Sequence, residues 1–437
     1  TLINIEEIAG SAHNDKLTGD SGNNKFDARD GVDVMIGGAG NDTYFDTTLD
    51  TTGAGGKFSN SGEDFNIVSY SGSTAGIVAN VTSSSGLSVT DGLGGTDFIR
   101  NADRINGTSS DDTFTLTDTT TKNWNGSGFG GFDADSKALL SKTNSFIDIR
   151  GGGGNDTITG NGVTRINYQD ATAGVDVTFS AEGTGTASSD TTTDAGIGTD
   201  TFTGVNAVVG SDFADDFNGG AGNQSFRGEG GNDVIDGGAG TDRVDYSNSE
   251  SSVNVDLGGG TASDGFGGTD SLTNIEDVRG SNDFGDLIEG EAGDNNISGL
   301  GGDDLLRGKA GNDTLSGGLG SDFLAGGAGI DTLSGGSDGD IFQYSGVGNS
   351  AVGARDIITD FDASSVNEVI FLDGLLTGTF QFGGSFTNDG NSRATATTEG
   401  SDTQILIDTL GDGTADMEIL LQNVSSGDVD ITDFLVT

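Results

Sequence analysis

The chain has no proline and no cysteine, a single histidine, and only 18 lysines and arginines to set against 69 aspartates and glutamates. Each shortage removes a class of function. Without cysteine there are no disulfides and no thiolate metal sites, and His13 alone cannot make an HExxH zinc centre. The charge balance, 18 − 69 = −51, leaves no basic footprint for nucleic acid. No run approaches the ~20 apolar residues of a membrane span, so no transmembrane segment is expected. Residues 1–7 show neither the basic start nor the apolar stretch of a signal peptide. With 32% hydrophobic residues, a conventional thick core is not expected over 437 residues. Glycine, 80 residues of it, and acid fill the chain instead. Such a surplus of one charge must be held apart by solvent or neutralised by bound cations.

The glycine and acid are periodic. From Gly290 to Gln343 the chain reads GEAGDNNIS, GLGGDDLLR, GKAGNDTLS, GGLGSDFLA, GGAGIDTLS and GGSDGDIFQ in one register. Further runs occupy 10–45 and 210–245, and lone copies stand at 107–115 and 151–159. Glycines at the first, second and fourth places supply positive φ and close approach, so the first six residues are expected to turn and the last three to form a short strand. The eighth place is large and apolar, as in Leu306, Leu315, Leu324 and Leu333, and points inward. Two nonapeptides then make one coil, with turns on alternating edges and a thin core between two parallel sheets. The expected class is all-β: a parallel β-roll, or β-solenoid, interleaved with β-ladder insertions and closed by a C-terminal β cap.

The sixth place carries the chemistry. Same-side turns stack Asp286, Asp304, Asp322 and Asp340 on one edge and Asn295, Asp313 and Asp331 on the other. Carboxylates on strands about 4.8 Å apart repel unless a cation lies between them. Multiple Ca²⁺ ions suit such sites, since calcium accepts six to eight oxygens and turn carbonyls can complete the set. The corresponding candidates elsewhere are Asp15, Asp33 and Asp42, Asp156, and Asp215, Asp233 and Asp242.

These segments resemble the RTX, or haemolysin-type, calcium-binding repeats of secreted bacterial proteins. The resemblance implies that the carbonyls of the first and third residues join the sixth-place aspartate. The sets so implied are Gly308, Ala310 and Asp313; Gly317, Leu319 and Asp322; and Gly326, Ala328 and Asp331. Asn24 and Gln224 replace the aspartate in two turns, and ARDGVDVMI lacks the leading glycines, so sites touching those turns are expected to be weak or empty.

A longer unit recurs between the runs, clearest at 244–281 and repeated at 67–109 and 166–211, with Gly-Thr-Asp turns between alternating apolar residues. The expected organisation is a truncated ladder unit plus a first roll over 1–45; a ladder unit and loop insertion over 46–150; a lone repeat plus ladder over 151–209; a roll over 210–245; a ladder over 246–280; the main roll over 281–343; and a cap over 344–437. Residues 2–11 align with 272–281, so the chain begins in the middle of a unit, and further sequence is expected upstream of Thr1. The C-terminal region resembles the module after the rolls of RTX proteases and lipases, which implies an uncleaved type I secretion signal near 430–437. Asp408–Asp416 has the outline of an EF-hand loop but lacks its full ligand set, and reads as a structural turn.

No catalytic centre is expected in this chain. His13 lies within a repeat turn, the GxSxG match at 335–339 belongs to the repeat register with no histidine after it, and GGGGND at 151–156 lacks the ending of a phosphate loop. The segment 123–132 with Trp124 suggests packing beneath a loop ahead of a sugar-stacking patch. The expected function is that of a secreted, extracellular, calcium-binding protein, folded by calcium after type I secretion. Its expected role is structural or adhesive at the bacterial surface, as in an S-layer or adhesin. Expected partners are calcium, the secretion machinery and either further copies of itself or surface polysaccharide. The alternative is the C-terminal secretion and folding region of an exported hydrolase or epimerase.

Overall fold

A computed structural model describes residues 6–29, 31–45, 65–83, 86–99, 102, 104–116, 147–189, 193–365 and 367–436. The 123–132 segment with Trp124 lies outside them. The chain divides into two compact units after Gly240, inside the 210–245 run.

In the second unit, strands Asn296–Gly301, Leu305–Ala310, Thr314–Leu319, Phe323–Ala328 and Thr332–Ser337 follow one another at the repeat spacing. Each pairs in parallel with the next strand but one: Ile297 lies beside Leu315, Leu306 beside Leu324 and Leu315 beside Leu333. Successive strands therefore belong to opposite sheets, and one coil is two nonapeptides. The eighth-place side chains Ile297, Leu306, Leu315, Leu324, Leu333 and Phe342 are fully buried between the sheets. Each contributes about 1.5–3 kcal/mol by leaving water. In the first unit Leu17, Phe26, Met35 and Tyr44 do the same, with the Phe26 and Tyr44 rings stacked at 5.4 Å.

Two details differ from the sequence expectation. Strands of the main roll are six residues long, because the first three places of each repeat extend the strand begun by the last three of the one before. The turn is confined to the fourth to sixth places. Positive φ is needed at the second and fourth places, as at Gly318 (120°) and Gly320 (119°), and not at the first. Leu300 and Lys309, at second places without glycine, still adopt φ of 79° and 75°.

The ladder units are antiparallel elements set into the parallel stack. Val78–Ser83, Gly86–Thr90 and Thr96–Ile99 run antiparallel to one another. The outer two join the roll in parallel, placing Ile99 beside Tyr44 and Ala79 beside Phe114. The same arrangement recurs at Val175–Ala181, Thr184–Ser189 and Thr199–Val209. It returns in the second unit at Asn254–Asp256, Thr261–Ser263 and Thr269–Thr273.

The C-terminal region prolongs both sheets. Val369–Leu372 stacks on Ile341–Tyr344, and the final strand Phe434–Val436 stacks on Val369–Leu372. Met417–Leu421 stacks on Asp356–Ile358 and turns antiparallel to Asp402–Asp408. The architecture is an all-β parallel roll. Among the described residues no helix is long and apolar enough to cross a membrane.

Candidate metal centres

The sixth-place aspartates form continuous buried ladders. On one edge Asp304 Oδ1 accepts the Asp286 N–H at 2.7 Å, Asp322 that of Asp304 at 2.8 Å, and Asp340 that of Asp322 at 2.9 Å. On the other, Asp313 accepts from Asn295 at 2.8 Å, Asp331 from Asp313 at 2.8 Å, and Asp356 from Asp331 at 2.9 Å. The first unit repeats this: the Asp15, Asn24 and Asp215 N–H groups donate to Asp33, Asp42 and Asp233 at 2.8, 2.7 and 2.9 Å. Asp42, Asp112 and Asp156 in turn donate to Asp97, Asp156 and Asp200. Asp242 is buried and donates its N–H to Glu276 Oε2 at 2.8 Å.

One oxygen of each carboxylate is thus spent on the preceding coil's register, and the other is treated in three ways. In the turn that begins a run, a serine or threonine takes it. Ser211 N–H reaches Asp215 Oδ2 at 2.7 Å and Ser281 N–H reaches Asp286 Oδ2 at 2.6 Å. Thr108 does the same for Asp112 at 2.6 Å, and Ser11 for Asp15. In the ladder units a tyrosine takes it: the hydroxyls of Tyr70, Tyr168 and Tyr246 donate to Oδ2 of Asp97, Asp200 and Asp270 at 3.0, 3.1 and 2.9 Å. At seven other places in the repeats nothing takes it. Oδ2 of Asp42, Asp156, Asp304, Asp313, Asp322, Asp331 and Asp340 is buried without a hydrogen-bond partner.

A buried carboxylate oxygen without a partner is strongly unfavourable unless a proton or cation supplies the missing contact. Burial first, and neighbouring carboxylates after it, push Asp304 from 3.8 up to about 8, and Asp313 and Asp322 up to about 7, against the lowering effect of the backbone N–H each accepts.

The space beside each leading glycine fits a hard cation. A Cβ on Gly308 would lie 2.1 Å from Asp313 Oδ2 and 2.6 Å from the Gly326 carbonyl oxygen. At Gly317 the corresponding oxygens belong to Asp322, at 2.1 Å, and Gly335, at 2.6 Å. At Gly308 and Gly317 glycine is therefore needed because two oxygens converge beside the first place, whereas the 28–36 turn keeps its ladder aspartate, Asp33, with Ala28 there. Among the described residues no three carboxylates or imidazoles gather into one site. The donor set is carboxylate plus main-chain carbonyl, as oxygen-seeking Ca²⁺ accepts. The third-place carbonyls of Leu319 and Ala328 already accept N–H groups of Gly302 and Gly311, at 2.8 and 2.9 Å, which leaves each a second lone pair. Ala310 lies in strand beside Ala328. In the variant turns, Asn24 and Gln224 accept the second-place N–H groups of Asp20 and Gly220, putting a neutral oxygen where the ladder otherwise has charge.

Other features missed from sequence are now plain. Asp97, Asp200 and Asp356 stand in the ladders although their surroundings break the template, and Asp112, the sixth place of the lone copy at 107–115, joins them; the usable signal is an acid two residues before a buried apolar one, as in Asp97 and Ile99 or Asp356 and Ile358. A second, exposed ladder runs through the fifth place in the opposite sense: Asn312 N–H donates to Asp294 at 2.7 Å, and Ile330 N–H to Asn312 at 3.0 Å. The Asp408 loop is a self-contained turn whose carboxylate accepts from Gly411 at 2.7 Å and Gly413 at 2.8 Å. His13 and Ser337 are exposed turn or strand-end residues. A groove of about 330 Å³ in the first unit, lined by Thr157, Thr159, Thr178, Thr186, Thr201 and Thr203 among others, has no titratable group in its wall.

The raised carboxylates fix a pH dependence. In the cation-free fold these aspartates hold protons that the unfolded chain has released, so its stability falls as pH rises from about 4 to about 8. Calcium must displace those protons, so its affinity rises over the upper part of that range. Titrations at pH 6 and pH 8 check this; equal affinity with no proton release would contradict it.

The repeat family described as RTX calcium-binding nonapeptide repeat matches residues 9–44, 148–162, 209–244, 281–315 and 316–346. No curated protein matches the chain. Among solved structures, the AlgE6R3 subunit of the Azotobacter vinelandii mannuronan C5-epimerase is 26% identical, over 35% of this chain and 79% of that one, with a TM-score of 0.20. The AlgE6R2 subunit of that epimerase is 22% identical, over 35% and 92%, with a TM-score of 0.21. The extracellular lipase LipA of Serratia marcescens is 21% identical over 53% of this chain, which spans only 40% of the lipase, with a TM-score of 0.26. These superpositions are too loose to bear on architecture, and the assignment rests on the repeats and their ladders. The matched segments are RTX calcium-binding nonapeptide repeats, and repeats of this kind bind several calcium ions.

Proposed function

We propose that the chain is an extracellular scaffold or adhesin of the bacterial surface, exported by type I secretion and folded there by calcium. The observation that supports this is the row of buried, unpartnered carboxylate oxygens inside the rolls, which a cation satisfies once the pH is high enough for the aspartates to lose their protons. In this reading the ligands are the interior aspartates, chiefly Asp42, Asp156, Asp304, Asp313, Asp322, Asp331 and Asp340, with first- and third-place carbonyls. Asp15, Asp215 and Asp286, already bonded by serines, contribute less. In cytosol poor in calcium, carboxylate repulsion and the entropy of 80 glycines keep the chain unfolded and exportable. Outside, ion binding adds directly to folding free energy. Repeated roll and ladder units suit an extended support that binds copies of itself or surface polysaccharide.

Cells of the source organism grown in millimolar calcium test the role. Surface-bound chain that a chelator releases is the expected result. Chain found only in the medium, joined to a hydrolase or epimerase activity, would overturn the surface role in favour of an enzyme's secretion region.

A further inference from the structure

The two loops Asp91-Gly-Leu-Gly-Gly-Thr-Asp97 and Asp264-Gly-Phe-Gly-Gly-Thr-Asp270 are one motif with one geometry. Asp91 Oδ1 accepts the N–H groups of Leu93 and Gly95, both at 2.8 Å; Asp264 Oδ1 accepts those of Phe266, Gly267 and Gly268 at 2.8–2.9 Å. A serine hydroxyl braces each from the other side, Ser73 on the Asp91 carbonyl at 2.7 Å and Ser249 on that of Asp264 at 2.6 Å. Both aspartates are completely buried, and both leave Oδ2 without a partner. The loops share these features with the interior of the rolls. Nothing in the nonapeptide template assigns them a role.

Their surroundings supply one. The sixth-place aspartate of the same loop, Asp97, has its second oxygen taken by Tyr70. The roll turn stacked against the loop ends in Asp42, whose Oδ2 is unpartnered. A Cβ on Gly95 would lie 1.6 Å from the Gly40 carbonyl oxygen and 2.7 Å from Asp91 Oδ2, so the two oxygens flank one small space, as beside Gly308. The Asp91 charge acts on Asp42 and Asp97 alike. The buried, unpartnered Asp91 carboxylate therefore adds negative charge beside the roll turn that a cation in the Gly95 space would relieve.

We propose that Asp91 is a calcium ligand at the junction between the first roll and its ladder unit, replacing the carboxylate that Tyr70 removes, and that Asp264 is the equivalent ligand in the second unit. The site takes a hard divalent cation through Asp91 Oδ2 and the Gly40 carbonyl, the two oxygens that flank the Gly95 space. The middle ladder unit provides the contrast. Asp194 has the same six-residue spacing to Asp200 but is exposed, and its Oδ1 accepts from Gly196 N–H at 2.9 Å and from Ser189 Oγ at 3.4 Å, so it holds no ion.

This rests on the calcium reading of the rolls, and counting bound calcium by equilibrium dialysis on the full chain separates the two. Asp91→Asn and Asp264→Asn are each expected to bind one fewer calcium than wild type, with unchanged far-UV circular dichroism at saturating calcium; Asp194→Asn is expected to bind as many. Wild-type stoichiometry in Asp91→Asn overturns the inference and leaves the rolls untouched, whereas a wild-type chain that binds no calcium overturns the reading beneath it. Should the variants fail to fold, terbium soaked into wild-type crystals decides: an anomalous peak beside Asp91 supports the site, and peaks confined to the nonapeptide turns overturn it.

Discussion

Valine at Gly317 is expected to unfold the main roll around it and to remove at least one bound calcium. A first-place Cβ there would lie 2.1 Å from Asp322 Oδ2 and 2.6 Å from both Asp322 Cγ and the Gly335 carbonyl oxygen, contacts no real Cβ makes. None of these atoms can move freely. Asp322 is held by the Asp304 N–H at 2.8 Å, and Gly335 belongs to strand Thr332–Ser337 one coil on. The carboxylate must swing out of the ladder or the coils must part, and in either case the oxygens that would hold the ion separate. Overpacking costs about 1–3 kcal/mol, and breaking a buried charged network raises the total beyond about 4 kcal/mol. A loss of that size takes most of the stability of a domain at the lower end of the usual range of about 5–15 kcal/mol. Gly348, with no atom within 4 Å of the same point, is the control, and Gly348→Val is expected to melt like wild type. A Gly317→Val chain with unchanged melting temperature and calcium stoichiometry would show that the cradle is not needed.

Much of this design was legible beforehand because the repeat dictates it locally. Strand direction, the coil of two nonapeptides, the inward eighth place and both aspartate stacks follow from glycine placement and side-chain alternation, and Leu315 over Leu333 or Asp304 over Asp322 could be written down from register alone. What escaped prediction depends on contacts across long stretches of chain. Asp97 donates no hint of its place until strand Thr96–Ile99 is seen lying beside Tyr44, with the intervening unit folded out as an antiparallel element. The tyrosine that satisfies it, Tyr70, is separated from it by the whole of that element. The first-place glycine was expected to supply positive φ and close approach; Gly308 has no positive φ, and its close approach is to the carboxylate of its own repeat and the Gly326 carbonyl.

The three treatments of the second carboxylate oxygen also rank the sites. Serine or threonine at the turn that begins a run gives Asp112, Asp215 and Asp286 full hydrogen bonding without a cation, so these turns can form first. Tyrosine does the same in the ladder units for Asp97, Asp200 and Asp270. Demand for calcium is concentrated in roll interiors, above all at Asp304, Asp313, Asp322 and Asp331. Those are the positions where removal of calcium is expected to be felt most.

Withdrawal of calcium is therefore expected to have the largest effect of all. A site held at about 100 times its dissociation constant contributes about 2.7 kcal/mol to folding, so two such sites already equal the lower limit of ordinary domain stability. Without ions the interior carboxylates must take up protons or separate, and near neutral pH in the cation-free state the second course costs the roll its register. The direct measurement is far-UV circular dichroism of the full chain during a calcium titration at pH 8, with bound calcium counted in the same samples. The account predicts an unfolded spectrum in chelator and strand signal that rises together with ion uptake. A chain that shows its full strand signal in chelator, before any calcium is bound, would contradict it.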